Sequence, residues 1–160
     1  MAASDRITDI VARLIAAGDE TTAFFESLSE DEWNAPVQGE GEQWRVRDLL
    51  AHFSAIERTM PALFQGIVSG DENPSAGFDL DRYNNSQVAK LKDAPRDFLL
   101  ERFRQTRHET VAFARSLADA DLDREGIHPF LGSGTLERFT RWAYGHCAIH
   151  EDEVRKAIHR

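Results

Sequence analysis

The sequence has few of the features that mark secreted, membrane-spanning or nucleic-acid-binding proteins. Its one cysteine, Cys147, excludes an intrachain disulfide and fits a reducing compartment. No stretch approaches the roughly 18 consecutive apolar residues of a transmembrane helix, and acidic residues interrupt the first amphipathic stretch, unlike in a signal peptide. With 19 basic and 28 acidic residues, the net charge of -9 would repel nucleic-acid phosphates. We therefore expect a cytoplasmic protein with no membrane and no nucleic-acid partner.

The motifs of the common enzyme classes are also missing. There is no Gly-rich phosphate-binding loop, no paired Cys-x-x-Cys and no Gly-x-Ser-x-Gly. A His-Glu-x-x-His zinc motif is excluded because Cys147 follows His146. Catalysis by side chains alone therefore has no candidate.

Apolar residues recur at a spacing of three and four residues in four long segments, which predicts four amphipathic helices. These segments cover about residues 4–28, 46–69, 96–117 and 135–158. The chain of 160 residues is long enough to bury most of its apolar surface in a single core. We expect residues 1–160 to form one all-α domain, a four-helix bundle.

Local signals refine this prediction. Ser4 and Thr135 are suited to cap the first and the last helix. Gly18 lies inside the first helix and is expected to weaken it by about 1 kcal/mol relative to alanine. Pro61 removes a backbone hydrogen bond from the second helix and is expected to kink it or to end it early.

Three connections join the four helices. The first contains Pro36, Gly39 and Gly41, which are typical of loops. The second, over residues 70–95, is long and polar, with a short helix expected near 80–91. The third, over residues 119–134, is rich in glycine and is expected to be irregular.

Three of the six histidines fall on the apolar faces of the predicted helices. His146 and His150 are four residues apart on the last helix, which places both rings on one face about one turn apart. His52 lies on the apolar face of the second helix. A buried imidazole is costly unless its nitrogens find partners, and a divalent metal ion would accept a lone pair from each neutral ring.

Two interpretations of these histidines stay open from the pattern alone. Each ring could be a core histidine that hydrogen bonds to a carbonyl or hydroxyl group. Alternatively, the three rings hold one metal ion and leave a position open for water or a thiol, as in catalytic sites. Three imidazoles suit Zn, Ni, Fe or Cu.

Other polar residues near the histidines have simpler interpretations. Cys147 is turned about 100° away from His146 on the helix and is expected to be a small buried side chain. Asp48 is expected to stabilise the first turn of its helix rather than to orient His52. The acidic run 151–153 is expected to be a solvated face, with a carboxylate partner for the histidines as the alternative.

The remaining histidines carry less information. His108 lies on the polar side of the third helix and is expected at the surface, and His159 is close to the end of the sequence. His128, which precedes Pro129, is expected either in a surface loop or over the mouth of the bundle.

The chain resembles the DinB-like superfamily of metal-binding four-helix bundles. This superfamily includes YfiT-like proteins, the N-terminal domain of mycothiol-dependent maleylpyruvate isomerase, and bacillithiol transferases. The resemblance rests on three segments, DEWNAPVQGEGEQWRVRDLLAHF (residues 31–53), FDLDRYN (78–84) and HPFLGSGTLERFTRWAYGHCAIHEDEVRKAI (128–158). It implies an up-down-down-up bundle with a long crossover between the second and third helices, which residues 70–95 supply.

The resemblance also implies which residues form the site. The metal ligands of the family fall on His52, His146 and His150, and an asparagine near the family's pocket falls on Asn84. Arg45 departs from the serine or threonine that often precedes the metal-binding helix in the family. How that helix begins is therefore open.

A metal-dependent enzyme is the first hypothesis for the function. The ion, Zn or Ni with Fe or Mn as alternatives, would activate a thiol or water for transfer to, or hydrolysis of, a small electrophilic substrate. A low-molecular-weight thiol would be the cosubstrate of a transferase. We expect Asn84, Arg82 and His128 to contact the substrate.

Two further hypotheses belong to other classes of protein. The chain could be a metal-containing protein that sequesters a reactive compound in stress or self-resistance without turnover. It could also be a structural bundle whose histidines only pack. Each of the three hypotheses is compatible with a homodimer.

Overall fold

The structure, a computed structural model, describes residues 4–38, 43–71 and 77–159. Gly39 and Gly41 of the first connection and residues 72–76 of the crossover lie outside the described residues. The long helices are α1 (Asp5–Glu26), α3 (Val46–Ser69), α5 (Arg96–Ser116) and α6 (Leu136–Ala157), and the short ones are α2 (Glu30–Trp33) and α4 (Leu80–Lys90). The predicted ends of the four long helices agree with these bounds to within two residues.

Local capping explains where several helices begin. The hydroxyl of Ser4 accepts the backbone N–H of Ile7 at 3.2 Å, and the hydroxyl of Thr135 accepts that of Arg138 at 3.3 Å. Pro61 lies inside α3, which continues to Ser69. The expectation that Pro61 would end the helix early is wrong, because packing of α3 against its neighbours offsets one lost backbone hydrogen bond.

Residues 119–134, expected to be irregular, form ordered structure. A 3₁₀ turn (Asp119–Asp123) leads into β1 (Glu125–His128), which pairs antiparallel with β2 (Gly132–Thr135). Gly126 of β1 lies against α3, where an added Cβ atom would be 2.6 Å from Cγ1 of Ile67. The pattern missed this hairpin because such short, glycine-containing strands have no run of alternating apolar residues.

Contacts between the helix ends establish an up-down-down-up bundle. Arg47 at the start of α3 donates a hydrogen bond to the carbonyl oxygen just before α5, so these two helices run parallel. Arg6 at the start of α1 pairs with Glu137 at the start of α6 at 2.7 Å, so these are parallel too. Arg96 at the start of α5 donates to the carbonyl oxygen of Leu28 after the end of α1, which makes α1 and α5 antiparallel. The predicted topology is therefore confirmed.

A buried ion pair lies between the apolar clusters of the core. Glu57 of α3 and Arg107 of α5 are 2% and 4% exposed, and Arg107 Nη2 is 3.1 Å from Glu57 Oε2. Arg107 also donates to the carbonyl oxygens of Leu14 in α1 and Ala143 in α6. One side chain therefore contacts all four long helices, which the sequence pattern did not indicate.

Gly18 makes room for this arginine. A Cβ atom at position 18 would be 2.8 Å from Cγ of Arg107, whose guanidinium group is held by Glu57. Helix propensity alone predicts that Gly18→Ala stabilises the protein by about 1 kcal/mol. We expect the reverse, a net loss of about 1 kcal/mol, because overpacking a fixed side chain costs about 1–3 kcal/mol. Urea unfolding measures the difference in the free energy of unfolding.

Gly145 of α6 provides the matched control. A Cβ atom at this position has no neighbour within 4 Å, so Gly145→Ala is expected to raise the free energy of unfolding by about 1 kcal/mol. Equal stabilisation by both substitutions would contradict the proposed fit between Gly18 and Arg107.

Candidate metal centre

The structure brings together the three histidines on the apolar faces of the helices. One ring nitrogen from each of His52, His146 and His150 lies within 4.8 Å of the other two, and all three residues are buried. The Nε2 atoms of His146 and His150 are 3.0 Å apart. The pair on α6 is close because of helix geometry, whereas His52 is brought to it by the antiparallel packing of α3 against α6.

Burial keeps two of these rings neutral at physiological pH. The pKa of His52 is lowered to about 3, first by burial and then by the charge of His150. The pKa of His146 is lowered to about 2 by burial, with the neighbouring His52 and His150 adding to the effect. Neutral imidazoles have a free lone pair, which is the form that binds a metal ion.

The surroundings of the rings fit a divalent ion. Nδ1 of His52 is buried and has no hydrogen-bond partner among the described residues. The facing Nε2 atoms of His146 and His150 are 3.0 Å apart. This separation is roughly what two nitrogens need to bind the same zinc ion, since Zn–N bonds are about 2.0–2.1 Å long. A bound ion would satisfy lone pairs that the protein itself leaves close together, so the donor set is suited to Zn or another divalent metal that binds imidazole.

Glu153 orients one of the three rings. Its Oε2 atom is 2.8 Å from Nδ1 of His150, which leaves Nε2 of that ring facing His146. A carboxylate behind a histidine fixes the tautomer and raises the basicity of the ligating nitrogen. The expectation that residues 151–153 form a solvated face is wrong for Glu153 and also for Glu151, which accepts a hydrogen bond from Thr21.

A cavity of about 900 Å³ opens onto the histidines. Its size suits a small organic molecule. Besides the histidines, the wall contains Trp44, which precedes α3, and side chains from α3, from the region around α4, from the hairpin and from α6. Among these are Ile56, Leu63, Phe78, Tyr83, Phe130, Trp142 and Ile149. An ion held by three imidazoles would therefore have its open side toward a large and mostly apolar space.

The residues expected to contact a substrate lie in different places. Asn84 lines the cavity from α4, and its Oδ1 atom is buried without a hydrogen-bond partner among the described residues. His128 also lines the cavity and is 5% exposed, so it is not in a surface loop. Arg82 is exposed on α4, and its side chain is not part of the described cavity wall.

The tautomer of His128 is set by the hairpin. Its Nδ1 atom accepts the backbone N–H groups of Phe130 at 3.1 Å and Leu131 at 3.2 Å. Burial lowers the pKa of His128 to about 4, with the charge of Arg138 adding to the effect. The ring is therefore neutral with its proton on Nε2, which makes it a hydrogen-bond donor in the cavity wall.

Sequence reasoning missed two aromatic residues that support the histidines. Trp142 stacks on His146, with the ring centroids 4.4 Å apart, and Trp44 lies 5.2 Å from His52 by the same measure. Trp142 precedes His146 by four residues, so its helical spacing was a usable signal. Trp44 precedes α3, and no local sequence pattern predicts its contact with His52.

Cys147 and Asp48 lie where the simpler interpretations expected them. Cys147 is buried, and its sulfur is 3.7 Å from Arg107 Nη2; burial raises the pKa of its thiol to about 12. The carboxylate of Asp48 accepts the backbone N–H of Arg45 at 2.8 Å, which shows how α3 begins without a serine or threonine.

Comparisons with known proteins agree with this architecture. A family model described as the DinB superfamily matches residues 13–153. Among solved structures, YfiT from Bacillus subtilis, named as a probable metal-dependent hydrolase with an unusual four-helix bundle topology, is 16% identical with a TM-score of 0.77, covering 98% of this chain and 88% of that one. No curated protein matches the chain.

Two further solved structures have the same fold. A mycothiol-dependent maleylpyruvate isomerase is 12% identical with a TM-score of 0.75 over 92% of this chain, which spans only 60% of that protein's length. The colibactin self-resistance protein ClbS, in complex with double-stranded DNA, is 14% identical with a TM-score of 0.70, covering 94% of each chain. At these identities the likeness concerns the fold alone. Within the described ranges, no helix is both long and apolar enough to cross a membrane.

Proposed function

Because this chain belongs to the DinB superfamily, we propose that it is a metal-dependent enzyme in which His52, His146 and His150 hold a divalent ion. The observation that carries the proposal is the convergence of three buried ring nitrogens within 4.8 Å of one another at the wall of a large cavity. Three protein ligands leave a coordination position open, as catalytic rather than structural sites do. Zn or Ni is the expected ion, with Fe or Mn as the alternatives.

The proposed reaction is the transfer of a thiol to, or the hydrolysis of, a small electrophilic substrate. A divalent ion at the histidines would lower the pKa of a thiol or water so that a nucleophile exists at neutral pH. The residues of the chain have supporting roles: Glu153 orients His150, and Trp142 holds the ring of His146 by stacking. His128 donates a hydrogen bond from Nε2 to an acceptor on the substrate, and Asn84 contacts the substrate from α4.

A protein that sequesters a reactive compound without turnover is the second candidate. It is favoured by the size and apolar character of the cavity, which suit retention of a whole ligand. The fold is also shared with ClbS, a self-resistance protein. Turnover separates the two candidates, because a sequestering protein would bind the compound stoichiometrically and release no product.

Metal analysis followed by activity assays tests the proposal. Protein purified without an affinity tag is expected to contain about one divalent ion per chain by elemental analysis. The loaded protein is then assayed with a panel of low-molecular-weight thiols and electrophilic substrates. Absence of bound metal would contradict both candidate functions. Bound metal without turnover of any compound in the panel would favour sequestration.

The proposal includes a cytoplasmic protein with a small-molecule substrate and no nucleic-acid partner. The net charge of -9 supports the last point, because polyanions are repelled by an acidic surface. The relative ClbS was solved with double-stranded DNA, so a gel-shift assay with duplex DNA at low salt is the direct check. A homodimer remains an expectation that sedimentation analysis would test.

Glu153→Gln is expected to weaken metal binding about 10–100-fold, because the histidine loses a charged hydrogen-bond partner. Competition with a chromophoric chelator measures the affinity. Asp152→Asn is the matched control, since Asp152 is the exposed neighbour on the same turn, and its affinity is expected to equal that of the wild type. An equal effect of both substitutions would mean that Glu153 acts only through the net charge.

A further inference from the structure

The wall of the histidine cavity has an uneven distribution of charge. Its described lining includes the carboxylates of Asp81 and Glu153 but neither lysine nor arginine. A carboxylate of a bound molecule would find no cationic side chain in the described wall and could pair only with an ion at the histidines, and burial of an unpaired charge is costly.

Acceptor groups without donors mark the α4 end of the cavity. Asp81, in the first turn of α4, makes no hydrogen bond or ion pair within the described part of the chain. The carboxamide of Asn84 lines the same side, and its Oδ1 accepts no hydrogen bond there. A ligand group that donates hydrogen bonds and carries a positive charge would complement both residues.

The histidine end of the cavity has a different character. Glu153 is already engaged with His150, at 2.8 Å between Oε2 and Nδ1. His128 supplies an N–H donor to this part of the wall, because its Nδ1 is occupied by two backbone N–H groups. This end therefore suits a neutral acceptor group on the ligand rather than a second cation.

Aromatic rings line the cavity at both ends. Phe78 and Tyr83, with centroids 5.4 Å apart, lie on the α4 side, and Trp142 lies beside His146. Such rings bury the apolar body of an aromatic ligand and attract organic cations at their faces.

From this arrangement we propose that the cavity selects an apolar aromatic compound that carries a protonated amine at the end distant from the histidines. The amine lies at Asp81 and Asn84, and the other end of the molecule points toward the histidines and the N–H of His128. This inference rests on the proposed function and deepens it by naming the chemical class of the substrate. Asp81 would pair with the amine, whereas Glu153 would support an ion at the histidines through its contact with His150.

Calorimetric titration with three matched probes tests the inference. Naphthylethylamine, naphthylethanol and naphthylacetic acid share the aromatic body and differ in charge. In metal-free protein at low ionic strength, we expect the amine to bind at least about 10-fold more tightly than the acid, with the alcohol between them. The same series is repeated with one equivalent of zinc, where the acid is expected to gain affinity by coordinating the ion and the amine, which lies at the other end of the cavity, is expected to keep its affinity.

Asp81→Asn is expected to reduce the ratio of amine to acid affinity about threefold or more, because the charge opposite the amine is removed. Asp93→Asn removes an exposed carboxylate just beyond α4, outside the described cavity wall, and is expected to leave the ratio unchanged. Raising the salt concentration should weaken the preference of the wild type more than that of the Asp81 variant.

Three results would overturn the inference: binding of the acid as tight as that of the amine in metal-free protein, an unchanged ratio in Asp81→Asn, or no saturable binding of any probe. The outcome is independent of the metal site. If the protein prefers the amine but binds no zinc, the selection by charge is supported and the proposed function is contradicted. If the protein binds zinc but does not prefer the amine, the proposed metal site is supported and the selection by charge is contradicted.

Discussion

His146→Ala is expected to weaken metal binding more than about 100-fold, the largest loss expected when only a residue that orients a ligand is removed. His146 is central to the site, because its Nε2 atom faces His150 at 3.0 Å and its ring lies 5.3 Å from that of His52. Its removal leaves two ligands, which do not suffice for a stable site. The affinity is measured by chelator competition, as for Glu153→Gln.

Thermal unfolding gives a second measurement of the same effect. A ligand that binds only the folded protein stabilises it by about 2.7 kcal/mol at a concentration 100 times its dissociation constant. Wild-type protein is expected to gain this stability with zinc, and His146→Ala is expected to gain none. In metal-free protein the variant should still fold but with some loss of stability, because a buried ring that stacks on Trp142 is removed, so the gain with zinc is measured for each protein against its own metal-free form.

His108→Ala is the control for this experiment. His108 is an exposed histidine on α5, so its loss should change neither the affinity nor the stabilisation by zinc. Unchanged zinc affinity in His146→Ala, or an equal loss in His108→Ala, would contradict the three-histidine site.

Arg107→Met is expected to destabilise the fold by about 3–5 kcal/mol, because it leaves the carboxylate of Glu57 buried without a partner. This loss is large compared with the total stability of a typical domain. Urea unfolding of the metal-free protein measures it. The carbonyl oxygens of Leu14 and Ala143 would also lose a donor, although both lie in helices.

The double variant Glu57→Met, Arg107→Met separates loss of the pair from loss of packing. Replacement of both charges by apolar side chains is often neutral or stabilising, so we expect most of the lost stability to return. Arg104→Met, one turn earlier on α5, removes an exposed ion pair with Glu26 and is expected to cost less than about 1 kcal/mol. A loss of similar size for Arg104→Met and Arg107→Met would contradict the role assigned to burial.

The predictions from sequence were accurate where the signal is local. Helix ends follow from apolar periodicity and from caps such as Ser4 and Thr135, whose hydrogen bonds span three residues. The hairpin was missed and the early end of the helix at Pro61 did not occur, because packing between the hairpin and α3, and of α3 against its neighbours, decides both. Gly18 illustrates the same difference, since its helix propensity is local and its contact with Arg107 is not.

The residues of the candidate site likewise divide into those that local spacing predicted and those that only packing brought together. The spacing of His146 and His150 places both rings on one face of any helix, and the spacing of Glu153 from His150 allowed the contact now seen. His52 was a candidate from the apolar face of its own helix, and the resemblance to the family assigned it as a ligand and placed Asn84 near the pocket. Trp44 and the orientation of His128 had no local signal, because each depends on which other segment packs against it.

The sequence by itself determined four amphipathic helices, the caps of the first and the last of them, and an α6 face with two histidines, because backbone hydrogen bonding and apolar periodicity act within a few residues. Only the tertiary structure decided that His52 lies beside that face, that Glu153 turns toward His150, and that Arg107 is buried. It also decided the charge of the cavity wall, which collects residues from α3, α4, the hairpin and α6. These features depend on the packing of distant segments, which the local periodicity of one chain segment does not encode.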